Sequence, residues 1–274
     1  LNTTTEELQA IARECRRDIV KMIHNAKSGH PGGSLSCIDI LVTLYFGEVL
    51  KHDPNDAKSD ERDRFILAKG HAAPALYAVL ANAGYVDKAS LPTLRKYKSI
   101  LQGHPDRLKC PGVEVSTGSL GQGLSIACGE ALGLELKGDD KNSVFALLGD
   151  GECQEGQVWE AFMFASQYGL DNLVAIIDRN NLQIDGNVND VMSLGDLSAK
   201  ASAFGWDVVS VDGHNIDKLK EVLLDAKKKR EGKPKCIIAN TIKGKGVSFM
   251  ENQAGWHGKA PNDEELEIAL NELA

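Results

Sequence analysis

Val144-Phe145-Ala146-Leu147-Leu148-Gly149-Asp150-Gly151 reads as an apolar strand ending in a tight turn, and this stretch decides the fold. The apolar spacing over residues 157–168 then predicts a helix, and Leu173-Val174-Ala175-Ile176-Ile177 predicts a second buried strand. Strand, turn, helix, strand is the order of parallel strands joined by a right-handed crossover. The reading is an α/β fold, a mostly parallel sheet with helices on both faces.

Ligands of parallel sheets bind beyond the carboxyl ends of the strands, where Gly149-Asp150-Gly151 lies. The glycines let the backbone turn tightly, and Asp150 projects a carboxylate into the crevice. The next strand runs out into Asp178-Arg179-Asn180-Asn181, so Asn180 emerges beside Asp150. A carboxylate and an amide oxygen are hard ligands suited to Mg²⁺ or Ca²⁺, and Mg²⁺ completes its shell with phosphate and water. The helix behind Gly151 aims its N-terminus at the same place, which favours an anion. Gly-Asp-Gly alone is an ordinary turn and Asn180-Asn181 an ordinary loop. Their position at the ends of successive strands turns the pair into a metal-bridged phosphate or diphosphate site.

Working outward, Arg64-Phe65-Ile66-Leu67-Ala68 reads as another strand, Lys69-Gly70-His71 as a turn, and residues 72–83 as a helix with Pro74 in its first turn. Gly118-Ser119-Leu120-Gly121-Gln122-Gly123 leads into a small-residue helix over 124–136. The N-terminal helix opens on a capping-box pair, Thr4 and Glu7, and Ser28-Gly29-His30-Pro31-Gly32-Gly33 breaks it. A second helix is predicted over 36–45, with Ser36 and Asp39 as its cap. Further strands are predicted over 207–211 and 236–240, with a helix over 217–229 between them. A capped amphipathic helix starting at Asn262 and Glu265 closes the chain. No repeat or linker-like shift interrupts residues 1–274, which read as one continuous domain.

The chain has 274 residues, a net charge of -8 and 42% hydrophobic residues, enough for a core. The acidic balance argues against a nucleic-acid-coating protein, which needs clustered Lys and Arg. Cysteines at 15, 37, 110, 128, 153 and 236 form no CxxC motif, and such scattered thiols suit a reducing, cytoplasmic setting. No apolar run approaches a membrane span, and the first residues lack a signal-peptide pattern. Gly118 to Gly123 has its glycines in the order GxxGxG, which is not the dinucleotide fingerprint, and no P-loop, HExxH or EF-hand loop is present.

Four histidines, His30, His71, His104 and His257, stand beside glycine in predicted loops. A lone histidine is more often structural, but several in Gly-flanked loops near strand ends point to a polar active site, because imidazole moves protons near neutral pH. His24 and His52 read as surface residues, and His214 as part of a strand-end turn.

These motifs resemble those of transketolase, and the chain resembles its N-terminal half, the part that binds the diphosphate of thiamine diphosphate. Gly149-Asp150-Gly151 with Asn180 is similar to the family's GDG…N motif. Ser28-Gly-His-Pro-Gly-Gly33, Lys69-Gly-His71, Gly103-His-Pro105, 111–123, Gln154-Glu-Gly156 and 178–186 resemble transketolase blocks in the same order, covering roughly residues 10 to 265. The resemblance implies that Asp150, Asn180 and the main-chain oxygen of Leu182 hold Mg²⁺, with Ca²⁺ or Mn²⁺ as substitutes. It implies that Gly149, Gly151, His71, Asn180 and His257 bind the cofactor at or near its diphosphate. Gly118, Ser119, Leu120 and Ile184 are expected to line its ring-binding cleft. His30, His71, His104 and His257 are expected to surround the reacting carbon, bind substrate hydroxyls and move protons. Glu155 and Glu160 match acidic positions at the family's subunit interface, or are simply a charge pair at a helix N-terminus.

By the same resemblance, the activity is transfer of a two-carbon ketol unit from a ketose phosphate to an aldose phosphate. A full transketolase is more than twice this length, and its following domain supplies the rest of the site. The expectation is therefore one subunit of a split enzyme, completed by a separately encoded chain in an α2β2-like assembly. The capped final helix favours that over an excised fragment. Rival readings are a 1-deoxyxylulose-5-phosphate-synthase-like enzyme, dihydroxyacetone synthase, the α subunit of a 2-oxo-acid dehydrogenase, or a non-catalytic cofactor-binding module. The His-Pro-Gly-Gly and Gly-His-Pro blocks favour transketolase over the first and third.

Overall fold

The central strands are apolar along their whole length and must be covered on both sides, and the structure does this with two separate cores. The computed structural model describes residues 3–228 and 231–274. Five strands, β1 (Arg64–Leu67), β2 (Val144–Gly149), β3 (Leu173–Arg179), β4 (Asp207–Asp212) and β5 (Lys235–Asn240), form a sheet in the order β1-β2-β3-β5-β4. Every neighbouring pair is parallel. Phe145 and Leu147 of β2 face a core shared with helices α1 (Thr5–Ala26), α3 (Ile38–Phe46), α4 (Ala73–Asn82) and α9 (Ile216–Lys228). Val144, Ala146 and Leu148 face a second core shared with α5 (Gln122–Leu136), α6 (Gly156–Gln167) and α8 (Leu197–Ala203). The period of two along a strand is what splits these residues between the faces. Short helices α2 (Pro31–Ser36) and α7 (Val188–Met192) and the final α10 (Asp263–Glu272) complete the set. Among the described residues, no helix is long and apolar enough to cross a membrane.

Both predicted capping boxes form. Thr4 and Glu7 close α1, and Asn262 and Glu265 close α10. The α10 helix seats Ala269 in the first core, and Arg17 donates to the carbonyl of Leu270 at 2.7 Å. Asn262→Ala removes the acceptor for the Glu265 N–H and should cost about 1 kcal/mol in urea unfolding.

Several expectations are corrected. The segment 31–36 does not merely break the first helix; Pro31 starts α2, because proline suits a first helical turn. Ser36 and Asp39 do not cap the next helix. Cys37 stands at that position, while the Ser36 hydroxyl bonds the Gly33 carbonyl at 3.2 Å and Asp178 at 2.6 Å. Asp39 instead accepts from Arg16 and His214. Residue 229, the expected end of α9, lies outside the described residues. His52 is not a free surface residue: its ring bonds the Tyr45 carbonyl and the Tyr85 hydroxyl. His24 pairs with Asp263. A small antiparallel hairpin, Leu182–Gln183 with Gly186–Asn187, was not visible in the strand periodicity.

Candidate active site

In the register of β2 and β3, Gly149 stands opposite Asp178, so the two strands end side by side. The Asp150 carboxylate, 3% exposed, accepts from the Gly151 N–H at 2.8 Å and from the Asn181 N–H. The Asn180 carboxamide bonds the Leu182 N–H through its oxygen and Asp178 through its nitrogen. Asp150, Asn180 and Leu182 are thus gathered at one strand-end loop.

The helix behind Gly151 begins within one residue of its expected start: a short 3-10 turn, Gly151–Gln154, comes first, and α6 begins at Gly156 with Glu155 at its cap. Within this turn the buried Glu152 carboxylate folds back to accept the N–H groups of Gly121 at 3.0 Å and Gly149 at 3.1 Å. It ties the entry to α5 against the end of β2. Burial lifts its carboxyl to about 7 despite those two bonds.

Asp178 lies beneath the site and is fully buried. It binds the Lys69 ammonium, the hydroxyls of Ser36 and Thr241, and the Asn180 amide. Lys69 is 1% exposed and also donates to the Gly33 carbonyl at 2.9 Å. Burial opposes both charges, but each holds the other: Asp178 stays below and Lys69 above its ordinary value. Among the described residues no cation is bonded to Asp150. Burial and the neighbouring Asp178 push its carboxyl up to about 6.

A second buried lysine, Lys243, donates to the Leu182 carbonyl at 3.0 Å and to His257 Nδ1 at 2.9 Å. An ammonium can only donate, so Nδ1 of His257 is the acceptor and the ring proton sits on Nε2. Burial, and then the Lys69 charge, lower Lys243 to about 8.

The four loop histidines converge. Ring centres of His30 and His71 are 5.4 Å apart, His30 and His257 5.5 Å, His71 and His257 5.2 Å, and His30 and His104 6.4 Å. Burial, with nearby Lys243, Lys69 and Arg95, holds all four below the ordinary histidine value, His30 at about 4 and His257 at about 3. At neutral pH each ring is therefore uncharged, with one N–H donor and one acceptor nitrogen. Such rings can bind hydroxyl groups and relay protons. His30 Nδ1 is buried without a hydrogen-bond partner among the described residues. Gly118, at φ +142°, stands where a Cβ would lie 2.9 Å from His104 Cδ2. Both the backbone region and the lack of space require glycine there.

Other expected site residues lie on the surface. Ser119, Glu155 and Glu160 are exposed, as are Leu120 at 36% and Ile184 at 68%. Lys69, Asp178, Glu152, Lys243 and Arg95 carry the electrostatics of the site, yet motif reading assigned them no role. A charged residue ending an apolar strand, as at Asp178, was the available signal.

The residues present fit a divalent metal only in part-share with a ligand. Among the described residues no group of three or more His, Cys, Asp or Glu could hold one. One carboxylate, one amide oxygen and one carbonyl form a hard oxygen set that leaves positions for phosphate and water, the habit of Mg²⁺. Asp150, buried with a raised pKa and no bonded cation, suits a site that gains a positive charge on loading.

The fold and these strand-end motifs place the molecule among thiamine-diphosphate-binding proteins, and the chain belongs to the transketolase family. Residues 8–273 match the family described as transketolase, thiamine diphosphate binding domain. The chain is 42% identical over 271 residues to an apulose-4-phosphate transketolase subunit of Phocaeicola vulgatus, covering 98% of this chain and 94% of that protein. It is 43% identical over 267 residues to the 6-deoxy-6-sulfo-D-fructose transketolase subunit SqwG of Clostridium sp. strain MSTE9, covering 97% and 96%. The crystal structure of transketolase from Campylobacter jejuni superposes with a TM-score of 0.91 at 34% identity, over 98% of this chain but 43% of that one.

Proposed function

We propose that this chain is the thiamine-diphosphate-binding subunit of a two-chain transketolase, with residues 1–274 forming one domain. The observation that carries the reading is the cluster of four neutral histidines set beside the Asp150–Asn180–Leu182 loop. Support for a separate partner comes from relatives that are themselves named as transketolase subunits and are covered almost end to end, against the 43% coverage of a full transketolase. In this reading Asp150, Asn180 and the Leu182 carbonyl hold Mg²⁺, replaceable by Ca²⁺ or Mn²⁺. Gly149, Gly151, His71 and His257 meet the diphosphate, and the buried positive charge of Lys243 balances part of its charge. Gly118, Ser119, Leu120 and Ile184 line the ring cleft, whose other wall the partner supplies. Leu120 and Ile184 are apolar and open in this chain, as surfaces awaiting a cover would be. Glu155 and Glu160 lie at the interface of an α2β2 assembly in the cytoplasm.

Thiamine diphosphate, when bound, supplies the carbanion chemistry. The chain's own part is orientation and proton transfer. His257 offers its Nε2 proton because Lys243 occupies Nδ1. His30 and His104, neutral and facing each other, bind hydroxyls of the ketose donor. The substrates in the two relatives' names both carry an anionic group, so an anionic ketose is the expected donor class.

The test is reconstitution. The chain is mixed with the candidate partner, Mg²⁺ and thiamine diphosphate, and ketol transfer from a ketose phosphate is followed. Turnover is expected only from the mixture. Turnover by this chain alone would defeat the two-chain reading, and a cofactor-loaded but inactive mixture would favour a non-catalytic binding module.

A further inference from the structure

We propose that Arg95 is a positioning residue that sets His30 and His104 against each other by bridging the two loops that carry them. Its guanidinium donates to the Ser28 hydroxyl at 2.9 Å, two residues before His30. It also donates to the Gly103 carbonyl at 3.4 Å, one residue before His104. The kinetic part of this proposal rests on the ketol-transfer reading above; the geometric part does not.

The surrounding backbone is built around that bridge. Arg95 has φ +62°, a region that L residues seldom adopt, and its N–H donates to the Leu101 carbonyl at 2.9 Å. The chain thereby doubles back so that residue 95 faces residue 103. At Gly103 a Cβ would lie 3.1 Å from Arg95 Cζ, so any other side chain would press on the guanidinium. This gives a physical reason for glycine immediately before His104. From the other side, the buried Tyr77 of α4 donates its hydroxyl toward the carbonyls of Gln102 at 3.0 Å and His104 at 3.1 Å. The single Tyr77 O–H is thus shared between the carbonyls of 102 and 104, and Arg95 takes the carbonyl of 103.

An arginine suits the bridging position because two separate nitrogens of its planar fork, Nη1 and Nη2, each take one acceptor in a fixed plane, whereas a lysine would have to reach both from a single atom. The charge has a second effect. His30 is faced by Arg95, His104 and Lys243 and packs against the rings of His71 and His257, while His104 is faced by Arg95. Burial and this guanidinium together favour the neutral form of both rings.

Two variants separate bridge from charge. In the reconstituted enzyme, Arg95→Met should lower kcat/KM for the ketose donor about 100-fold, the scale expected when reacting groups move by about 1 Å. Its affinity for thiamine diphosphate should stay within twofold of wild type. Arg95→Lys keeps the charge and loses the fork, so it should restore the histidine titrations and leave kcat/KM reduced. In the ¹³C-labelled full chain, Arg95→Met should shift the Hε1 resonances of His30 and His104, leave those of His24 and His52 in place, and raise the His104 titration midpoint. The proposal is overturned if Arg95→Met leaves kcat/KM within twofold, if Arg95→Lys restores it fully, or if cofactor affinity falls in parallel. Should wild type show no ketol transfer, the functional reading fails, and the resonances decide on Arg95: no movement of His30 and His104 would reject the bridge.

Discussion

Replacing Asp150 by asparagine will abolish metal-dependent binding of thiamine diphosphate by the assembled enzyme and will remove a charge penalty from the unloaded chain, at the cost of one of the two N–H bonds that the carboxylate accepts. Removing groups that merely support a metal ligand costs about 10- to 100-fold in affinity, so loss of the one charged ligand should cost about 100-fold or more. The opposite effect on stability follows from burial. Asp150 is raised from 3.8 to about 6 in the folded chain. A group raised in this way contributes stability below its unfolded value and loses it as pH rises through the folded one. At pH 7 its charge is therefore a net cost, on the order of 1–3 kcal/mol. Calorimetric titration with and without Mg²⁺ checks the first effect, and urea unfolding of the unloaded chain at pH 4 and pH 7 checks the second. Unchanged cofactor affinity would reject the metal site. A wild-type stability that does not fall relative to the variant between pH 4 and pH 7 would show that the Asp150 charge is already compensated.

The second large effect concerns the ion pair below the site. Lys69→Met should destabilise the chain by about 3–5 kcal/mol, because it leaves the Asp178 carboxylate buried without its counter-ion. In wild type, Asp178 is held below its ordinary value, so its contribution is present above about pH 4 and is lost as pH falls. In the variant the remaining carboxylate is raised, and stability falls as pH increases. The difference between the two proteins should grow from pH 4 to pH 7 in urea unfolding. Lys69→Met combined with Asp178→Asn should cost less than Lys69→Met alone, since no lone charge remains. A difference that does not vary with pH would mean that packing, and not charge, carries the role of Lys69.

Much of this was open to reading along the chain. The continuous apolar runs of β1, β2 and β3, the turn at Gly149-Asp150-Gly151 and the two capping boxes depend on neighbours within a few residues, and each appears where its pattern lies. The gathering of His30, His71, His104 and His257 was expected from motif resemblance, since no local spacing brings residues 30 and 257 together. Ser36 shows the limit. Its type suits a helix cap, but a buried carboxylate from residue 178 offered a stronger partner. Glu152 likewise turned away from the helix it precedes, toward the N–H groups of Gly121 and Gly149.

The sequence by itself determined the α/β architecture, the strand-end turn and the inventory of polar loops, because helix period, strand period and turn chemistry are local. Only the tertiary structure decided which of those loops meet. It paired Lys69 with Asp178, set Lys243 between Leu182 and His257, and laid Arg95 across the chain before His30 and His104. Charge state follows from those meetings: burial and through-space neighbours, often a hundred residues apart in sequence, leave the four histidines neutral and raise the carboxyl of Asp150. Coulomb interaction and desolvation act over distance in space, which no periodicity along the chain records.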